Sequence, residues 1–182
     1  MSIGLFGGTF DPIHNGHLSL ALDLMETTGL KKVLFIPAFR SPFKEAVASS
    51  HHRLAMVRLA IAPFPHFEVS DWEILQGGVS YTIDTVRHFS SFGPCRLLLS
   101  EESAALFFSW KEPLELIRLA PPLIGYRGEK RLDHPSLQTG LTPTRLLDIS
   151  STEIRERLKK NLPIAHLLPN KALDYIQTHR VY

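Results

Sequence analysis

Ile3-Gly4-Leu5-Phe6-Gly7-Gly8-Thr9-Phe10-Asp11-Pro12-Ile13-His14-Asn15-Gly16-His17-Leu18 decides the reading of this chain. Its opening, Ile3 to Phe6, is an apolar stretch that reads as a short buried strand. Beyond it, Leu18, Ala21, Leu22 and Met25 fall on one helical face. Gly7 and Gly8 lack a Cβ, so the backbone can turn sharply between the two elements and come close to a ligand. His14 and His17 stand where the helix begins, and a helix N-terminus favours anions through its free N–H groups and its dipole. A strand, a glycine turn, two imidazoles and a helix start form a candidate phosphate site. Together they are far more specific than a lone Gly-rich loop.

Strand and helix signals alternate along the rest of the chain. Residues 32–36 read as a second strand, stopped by Pro37, and residues 38–50, interrupted by Pro42, as a loop. Helical spacing returns over residues 51–61 through Leu54, Val57 and Ile61, before a short strand at 67–69. A helix follows over 82–92, then a strand at 96–99, a helix at 114–120 and a strand at 123–126. Residues 127–143, rich in Gly, Pro and charge, are expected to cross the surface. The chain is then expected to re-enter the sheet at 146–149 and to close with helices at 153–160 and 171–178. This alternation predicts a single-domain α/β architecture over residues 1–182: a Rossmann-like open parallel sheet with helices on both faces. Such a sheet binds ligands beyond the carboxyl ends of its strands, where strand order reverses. The first turn, the loop after the second strand and the segment at Ser150 all belong to that edge.

Composition narrows the function classes. The 182 residues suffice for one sizeable core, and 44% hydrophobic with 21% charged residues is ordinary for a globular protein. A formal charge of +2 gives no bulk electrostatic case for a nucleic-acid or membrane partner. Among nine histidines and one cysteine, Cys95, no grouping has metal-site spacing, so no protein-held metal is expected. The first residues show no basic segment followed by a long apolar stretch, and no stretch reaches the roughly 20 apolar residues of a membrane span. A cytoplasmic location is the default expectation. No feature assigns an oligomeric state.

Ile149-Ser150-Ser151-Thr152-Glu153-Ile154-Arg155-Glu156-Arg157-Leu158 is the second informative stretch. Ser150 and Glu153 have capping-box spacing, so a helix should start here with backbone N–H groups open to a phosphate oxygen. Arg155 lies near the first turn, where a cation opposes the helix dipole unless an anion offsets it. An ordinary N-cap with an exposed arginine is the alternative. Ser80, Tyr81 and Thr82 form a further expected capped helix start able to receive an anion, and a plain N-cap fits them equally well. Lys44, in the loop after the second strand, can act as a point charge closing over phosphates. A solvated surface lysine is its alternative.

These stretches also carry a family resemblance. His14-Asn15-Gly16-His17 resembles the HxGH signature of the nucleotidyltransferase superfamily. Gly7 to His17 as a whole is similar to the opening of bacterial nicotinate mononucleotide adenylyltransferases. Those enzymes join the mononucleotide to ATP, releasing pyrophosphate and forming nicotinic acid adenine dinucleotide, a step of NAD biosynthesis. The resemblance implies ATP, with its Mg²⁺, and nicotinate mononucleotide as substrates. It implies that Gly7, Gly8, Thr9 and Phe10 bind ATP and that Thr9 and the Gly7-Gly8 backbone position the acceptor phosphate. His14 and His17 are implied at the α- and β-phosphates, with His17 touching the transition state. Ile149 to Leu158 resembles the second signature, which implies that Ile149, Ser151, Thr152 and Arg155 hold the triphosphate. Lys44 and Arg155 would stabilise the departing pyrophosphate.

On the acceptor side, Ser80 to Thr85 resembles the SYTxxT segment that receives the nicotinate carboxylate. Trp110 matches a tryptophan that stacks on the pyridine ring, and Arg127 is implied at the acceptor phosphate. Two departures stand out. Ser41 and Phe43 replace a usual proline and histidine before Lys44. Ser100-Glu101-Glu102 stands where relatives carry Gly-x-Asp, so Glu102 would have to face the ATP ribose, and Ser100 adds a side chain where glycine permits close approach. Two other readings compete: phosphopantetheine adenylyltransferase, which usually has threonine at the position of His14, and a non-catalytic nucleotide-binding module. Nicotinate against nicotinamide mononucleotide stays open.

Overall fold

Inward and outward positions are both apolar along the central strands, which requires cover on each face of the sheet. The structure, a computed structural model, describes residues 2–126, 134–145 and 147–182. Six strands, β1 (Ile3–Gly8), β2 (Val33–Pro37), β3 (Phe67–Val69), β4 (Cys95–Ser100), β5 (Pro122–Tyr126) and β6 (Leu141–Pro143), form one sheet. Their order is β3-β2-β1-β4-β5-β6, with parallel pairing at each step. The helices are α1 (Asn15–Thr28), α2 (Ser50–Ile61), α3 (Trp72–Gln76), α4 (Thr82–Ser90), α5 (Glu101–Ala105), α6 (Pro113–Leu119), α7 (Pro135–Gln138), α8 (Ser151–Lys159) and α9 (Asn170–His179).

The alternation of strand residues separates two cores. Phe6, Val33, Phe35 and Leu98 pack with Leu20 and Leu24 of α1, Met56 and Val57 of α2, Ile154 of α8 and Ile176 of α9. Leu5, Leu34, Ile36, Leu97 and Leu99 pack on the opposite face with Ile83 and Val86 of α4 and Leu116 of α6. The expected open sheet with helices on both faces is the observed fold.

Strand order reverses between β1 and β4, and there the register creates a crevice. β1 stays paired to β2 as far as Gly8↔Pro37, whereas its pairing with β4 runs only to Leu5↔Leu97. The two strands therefore part beyond Leu5, and the glycine turn overhangs the gap. This is the ligand-binding position of an open α/β sheet.

One strand expectation is corrected. Residues 147–149 form no strand, and Leu146 lies outside the described residues. The sixth strand is instead Leu141–Pro143, inside the segment expected to wander, and it pairs with Ile124–Tyr126. The chain leaves the sheet edge because Arg145 is held elsewhere. Its backbone N–H donates to Asp23 of α1 at 2.6 Å, and its guanidinium pairs with the same carboxylate. Leu147 is consequently exposed rather than a core residue. The short helices α3, α5 and α7 were invisible because a helix of four or five residues has too few turns to display periodicity.

Candidate active site

The motif turn is built by packing before it binds anything. Phe10, with φ +50°, turns its ring down among Phe6, Phe35 and His17. A Cβ on Gly8 would meet that ring at 3.0 Å, so any larger residue there would press the Phe10 ring by a few tenths of an ångström. Gly7 differs, because nothing lies within 4 Å of its Cβ position. Phe10 is buried, so its ring supports the turn and only its backbone is left to face a nucleotide.

His14 is the N-cap of α1, as expected. Its backbone N–H donates to Nδ1 of His17 at 3.2 Å, which leaves the other ring nitrogen, Nε2, as the donor of a neutral imidazole. The two rings stack with centroids 3.7 Å apart. Gly16 makes the stack possible: a Cβ there would lie 3.0 Å from His14 Nδ1 and 3.1 Å from Cε1. Burial lowers the His14 pKa to about 4. The His17 pKa is driven well below its ordinary value, first by burial, then by His14 and by Lys44. Both imidazoles are thus neutral near pH 7. His14 Nδ1 is buried without a hydrogen-bond partner.

The two motifs meet, and the contacts between them are direct. Ser150 caps α8 by accepting from Glu153 N–H at 3.1 Å. Ser151 Oγ then donates to the carbonyl of Pro12 at 2.8 Å, and Arg155 donates to the carbonyl of Asp11 at 2.5 Å. Arg155 also donates to Thr152 Oγ1 at 3.3 Å and lies 3.8 Å from the Asp11 carboxylate. The expected conflict between Arg155 and the helix dipole is therefore answered within the protein, by Asp11, and alone does not demand a ligand. The first-turn amides of α8 have no carbonyl of their own helix to bond. Ile149, just before this turn, packs against the core.

Residues outside the motif readings hold this arrangement. Arg53 of α2 is 1% exposed and donates to three carbonyls: Thr9 at 2.7 Å, Phe39 at 2.9 Å and Ala48 at 3.2 Å. It thus ties the motif turn to both ends of the loop that carries Lys44. Asp11 grips the same loop, accepting from Val47 N–H at 2.7 Å and Ala48 N–H at 3.0 Å, and it also accepts from Tyr182 O–H at 2.8 Å. The sequence held one signal for Arg53: it sits on the buried stripe of α2 with Val57, Ala60 and Ile61. Tyr182 gave none, since its partner lies 171 positions away.

The acceptor-side residues line the same edge. Ser80 does not cap α4; Tyr81 occupies that position without a side-chain cap bond. Ser80 Oγ instead accepts from Phe39 N–H at 2.9 Å, and its own N–H donates to the Arg40 carbonyl. Beneath it lies Glu73, buried, receiving a 2.5 Å hydrogen bond from Thr85, with its pKa raised by burial against the hydrogen bonds of Thr85 and Ser80. Thr82 opens α4, and Lys111 lies 4.6 Å above the Tyr81 ring. Lys44 is exposed. Trp110 is partly buried and faces Phe43 with centroids 6.4 Å apart. Ser100 ends β4 at the crevice and caps α5 by accepting from Ser103 N–H at 3.3 Å; Glu102 is exposed in the first turn of that helix. Arg127 lies outside the described residues. Among the described residues no three His, Cys, Asp or Glu side chains group to hold a metal.

Comparison with known proteins gives this geometry its family. The Cytidylyltransferase-like family model matches residues 5–157. A probable nicotinate-nucleotide adenylyltransferase of Methylacidiphilum infernorum is 42% identical over 190 residues, spanning 99% of this chain and 91% of the relative. One from Dictyoglomus thermophilum is 40% identical over 196 residues, spanning both chains in full. The chain belongs to the nicotinate-nucleotide adenylyltransferase family. A solved structure, Plasmodium falciparum nicotinic acid mononucleotide adenylyltransferase complexed with NaAD, matches with a TM-score of 0.81 at 22% identity, covering 100% of this chain and 97% of that one. At that identity the match speaks for the adenylyltransferase fold alone.

Proposed function

We propose that the protein transfers the adenylyl group of ATP to nicotinate mononucleotide, forming nicotinic acid adenine dinucleotide and pyrophosphate for NAD biosynthesis. The observation that carries this reading is the junction of the two motifs, where Ser151 and Arg155 bind the carbonyls of Pro12 and Asp11 two and three residues before His14. Imidazole, hydroxyl and guanidinium groups thereby gather on one side of one turn, as a polyphosphate ligand requires.

An oxygen of the mononucleotide 5′-phosphate attacks the α-phosphorus of ATP. The new P–O bond forms as the bond to the β-phosphate oxygen breaks in line, and pyrophosphate departs with that electron pair. No protein nucleophile is needed, so catalysis consists of alignment and of stabilising charge on the transferring group. In this reading the Gly7 backbone admits the phosphate chain into its open space, and Thr9 positions the acceptor phosphate. The neutral imidazole of His17 donates from Nε2 to the α-phosphate, with His14 stacked behind it. Lys44 and Arg155 offset the charge of the leaving pyrophosphate, while Ser151 and Thr152 start the helix whose amides bind it. Mg²⁺ enters as part of the ATP substrate. The first-turn amides of α4 receive the nicotinate carboxylate, and Trp110 covers the ring. A cytoplasmic setting belongs to the same reading, supported by a lone free cysteine, Cys95, that is buried; among the described residues no helix is long and apolar enough to cross a membrane.

The test is incubation of pure protein with ATP, Mg²⁺ and nicotinate mononucleotide, with nicotinamide mononucleotide and phosphopantetheine as parallel acceptors. Dinucleotide and pyrophosphate form with nicotinate mononucleotide, and folded protein that yields neither refutes the assignment. His17→Ala stays folded and loses roughly 10²–10³ in kcat, the loss typical of one oriented donor to a developing charge.

A further inference from the structure

Phe43 is a large aromatic side chain left half exposed, at 53%, on the β2–α2 loop, yet that loop is well tied down. Phe43 N–H donates to Ser41 Oγ at 3.2 Å, and Phe39 N–H and the Arg40 carbonyl are both bonded to Ser80, directly before α4. The ring of Phe43 faces that of Trp110 at 6.4 Å between centroids, with only 30° between their planes. Trp110 also meets Phe107, fully buried, at 5.5 Å between centroids, so the indole is held against the core. Lys111, next along the chain, is anchored on Tyr81 and on Asp84 at 3.7 Å. The pair of rings therefore stands at the mouth of α4. The residue after Phe43 is Lys44, whose charge reaches His17.

Carbon atoms in contact lie about 3.5 Å apart, so a flat ring held between two others needs them about 7 Å apart. The observed 6.4 Å falls short by less than an ångström, which an exposed loop side chain can yield. We infer that Phe43 is the second wall of an aromatic slot and that, with Trp110, it sandwiches the pyridine ring of the acceptor. The inference rests on the proposed function and adds to it a residue that fixes acceptor specificity. The chemistry suits the pair. The pyridine ring of the mononucleotide is a flat pyridinium cation, and aromatic faces attract a cation as well as stack on a ring. A ring so placed has the first turn of α4 at its edge, and its ribose phosphate lies on the side of Lys44 and His17. Lining up adjacent residues, Phe43 for the ring and Lys44 for the phosphate, matches the two ends of one nucleotide.

The chain has two tryptophans, and Trp72 is stacked on His88. In a Trp72→Phe background, Trp110 emission alone reports on the slot. Nicotinate mononucleotide is titrated against that protein and against the same protein carrying Phe43→Ala, Phe43→Leu or Phe43→Tyr, and KM is measured for each substrate. Quenching is expected in all. Ala and Leu raise Kd and KM for the mononucleotide roughly three- to tenfold, the factor an aromatic pair supplies. KM for ATP and the thermal midpoint do not move, and Tyr restores the wild-type values. Leu separates a ring from mere apolar bulk against Trp110. Full turnover with an unchanged mononucleotide KM in Phe43→Ala overturns the slot while the enzymatic reading stands. Absence of both quenching and turnover in the parent protein overturns the enzymatic reading and the slot with it.

Discussion

Gly16→Ala tests whether the histidine pair works through its geometry. The added Cβ would stand 3.0 Å from His14 Nδ1 and 3.1 Å from Cε1, against the 3.4 Å or more of ordinary contact. The Leu147 carbonyl, 3.4 Å away, closes off movement of the methyl in that direction. The imidazole must therefore retreat by a few tenths of an ångström, and its 3.7 Å stack passes the push to His17. A misplacement of about 1 Å can cost 10²-fold in rate, so a shift of this size should lower kcat/KM roughly tenfold or more. Stability should change far less than activity, because the cost of pressing on a buried ring is offset by the helix. Alanine replaces glycine in the first turn of α1, a change worth up to about 1 kcal/mol in favour of the helix. Pyrophosphate release under steady-state conditions, paired with thermal unfolding of the same preparation, separates the two effects. Activity within twofold of wild type in a folded protein would refute the claim that the ring needs the space Gly16 leaves.

Stability should fall on the acid side because of His14. Its pKa is about 4 when folded and about 6.5 when unfolded, so between those values the unfolded chain holds a proton that the folded one excludes. Wild type therefore loses stability as pH falls from 6.5 to 4, with about 3 kcal/mol at stake at 1.36 kcal/mol per pH unit. Urea unfolding at pH 7 and pH 4 should show that extra loss against His14→Gln; parallel pH dependence in both proteins counts against a buried neutral imidazole. Lys44→Ala removes a cation that opposes protonation of His17, so the acid-side decline of kcat/KM should begin at higher pH than in wild type. Raising salt should bring the two profiles together because Lys44 is exposed, and profiles that already coincide at low salt reject the coupling. Tyr182→Phe deletes one hydrogen bond to the Asp11 carboxylate and should cost about 2 kcal/mol in urea unfolding. An unchanged midpoint would mean that Asp11 does not need that donor.

What the sequence disclosed follows from what is local. β1, β2, β4 and β5 were legible because buried strands of five or six residues must be apolar on both faces. α1 and α2 were legible through their apolar stripes, and α8 through the Ser150 cap. β6 was not, because it lies in a segment rich in Gly, Pro and charge, and its place depends on Arg145 being drawn to Asp23. In the site, the convergence of the two motifs was expected from two strands ending on one edge, yet only the first motif directly follows a strand; the second is joined to it by the hydrogen bonds of Ser151 and Arg155 to the carbonyls of Pro12 and Asp11. The wiring was not. Ser80 looked like a cap but turns to Glu73 and to Phe39 N–H, and only the folded loop supplies those partners. Arg53 showed as a charge on an apolar stripe, but its acceptors come from Thr9, Phe39 and Ala48, brought together only by the tertiary fold.

The wiring also bears on how the site would recognise phosphate. His14 and His17 are neutral, and Arg155 is partly compensated by the Asp11 carboxylate at 3.8 Å. Arg53 spends its donors on carbonyls inside the fold. The free site therefore offers oriented N–H donors and helix amides more than concentrated positive charge. Neutral donors of this kind cost little to keep ready, because no strongly hydrated cation must be desolvated when the ligand arrives. They also gain strength where charge builds up on the transferring phosphoryl group, since burial has already removed competing water. An ATP whose own charge is part-cancelled by Mg²⁺ suits such a surface better than a bare polyanion would. Under the proposed function, Lys44, exposed on its loop, would add charge late, when pyrophosphate separates. On this view the histidine signature is depressed in pKa by design of its packing: a protonated pair would grip ground-state phosphates tightly, and uniform tight binding of that kind does not raise turnover.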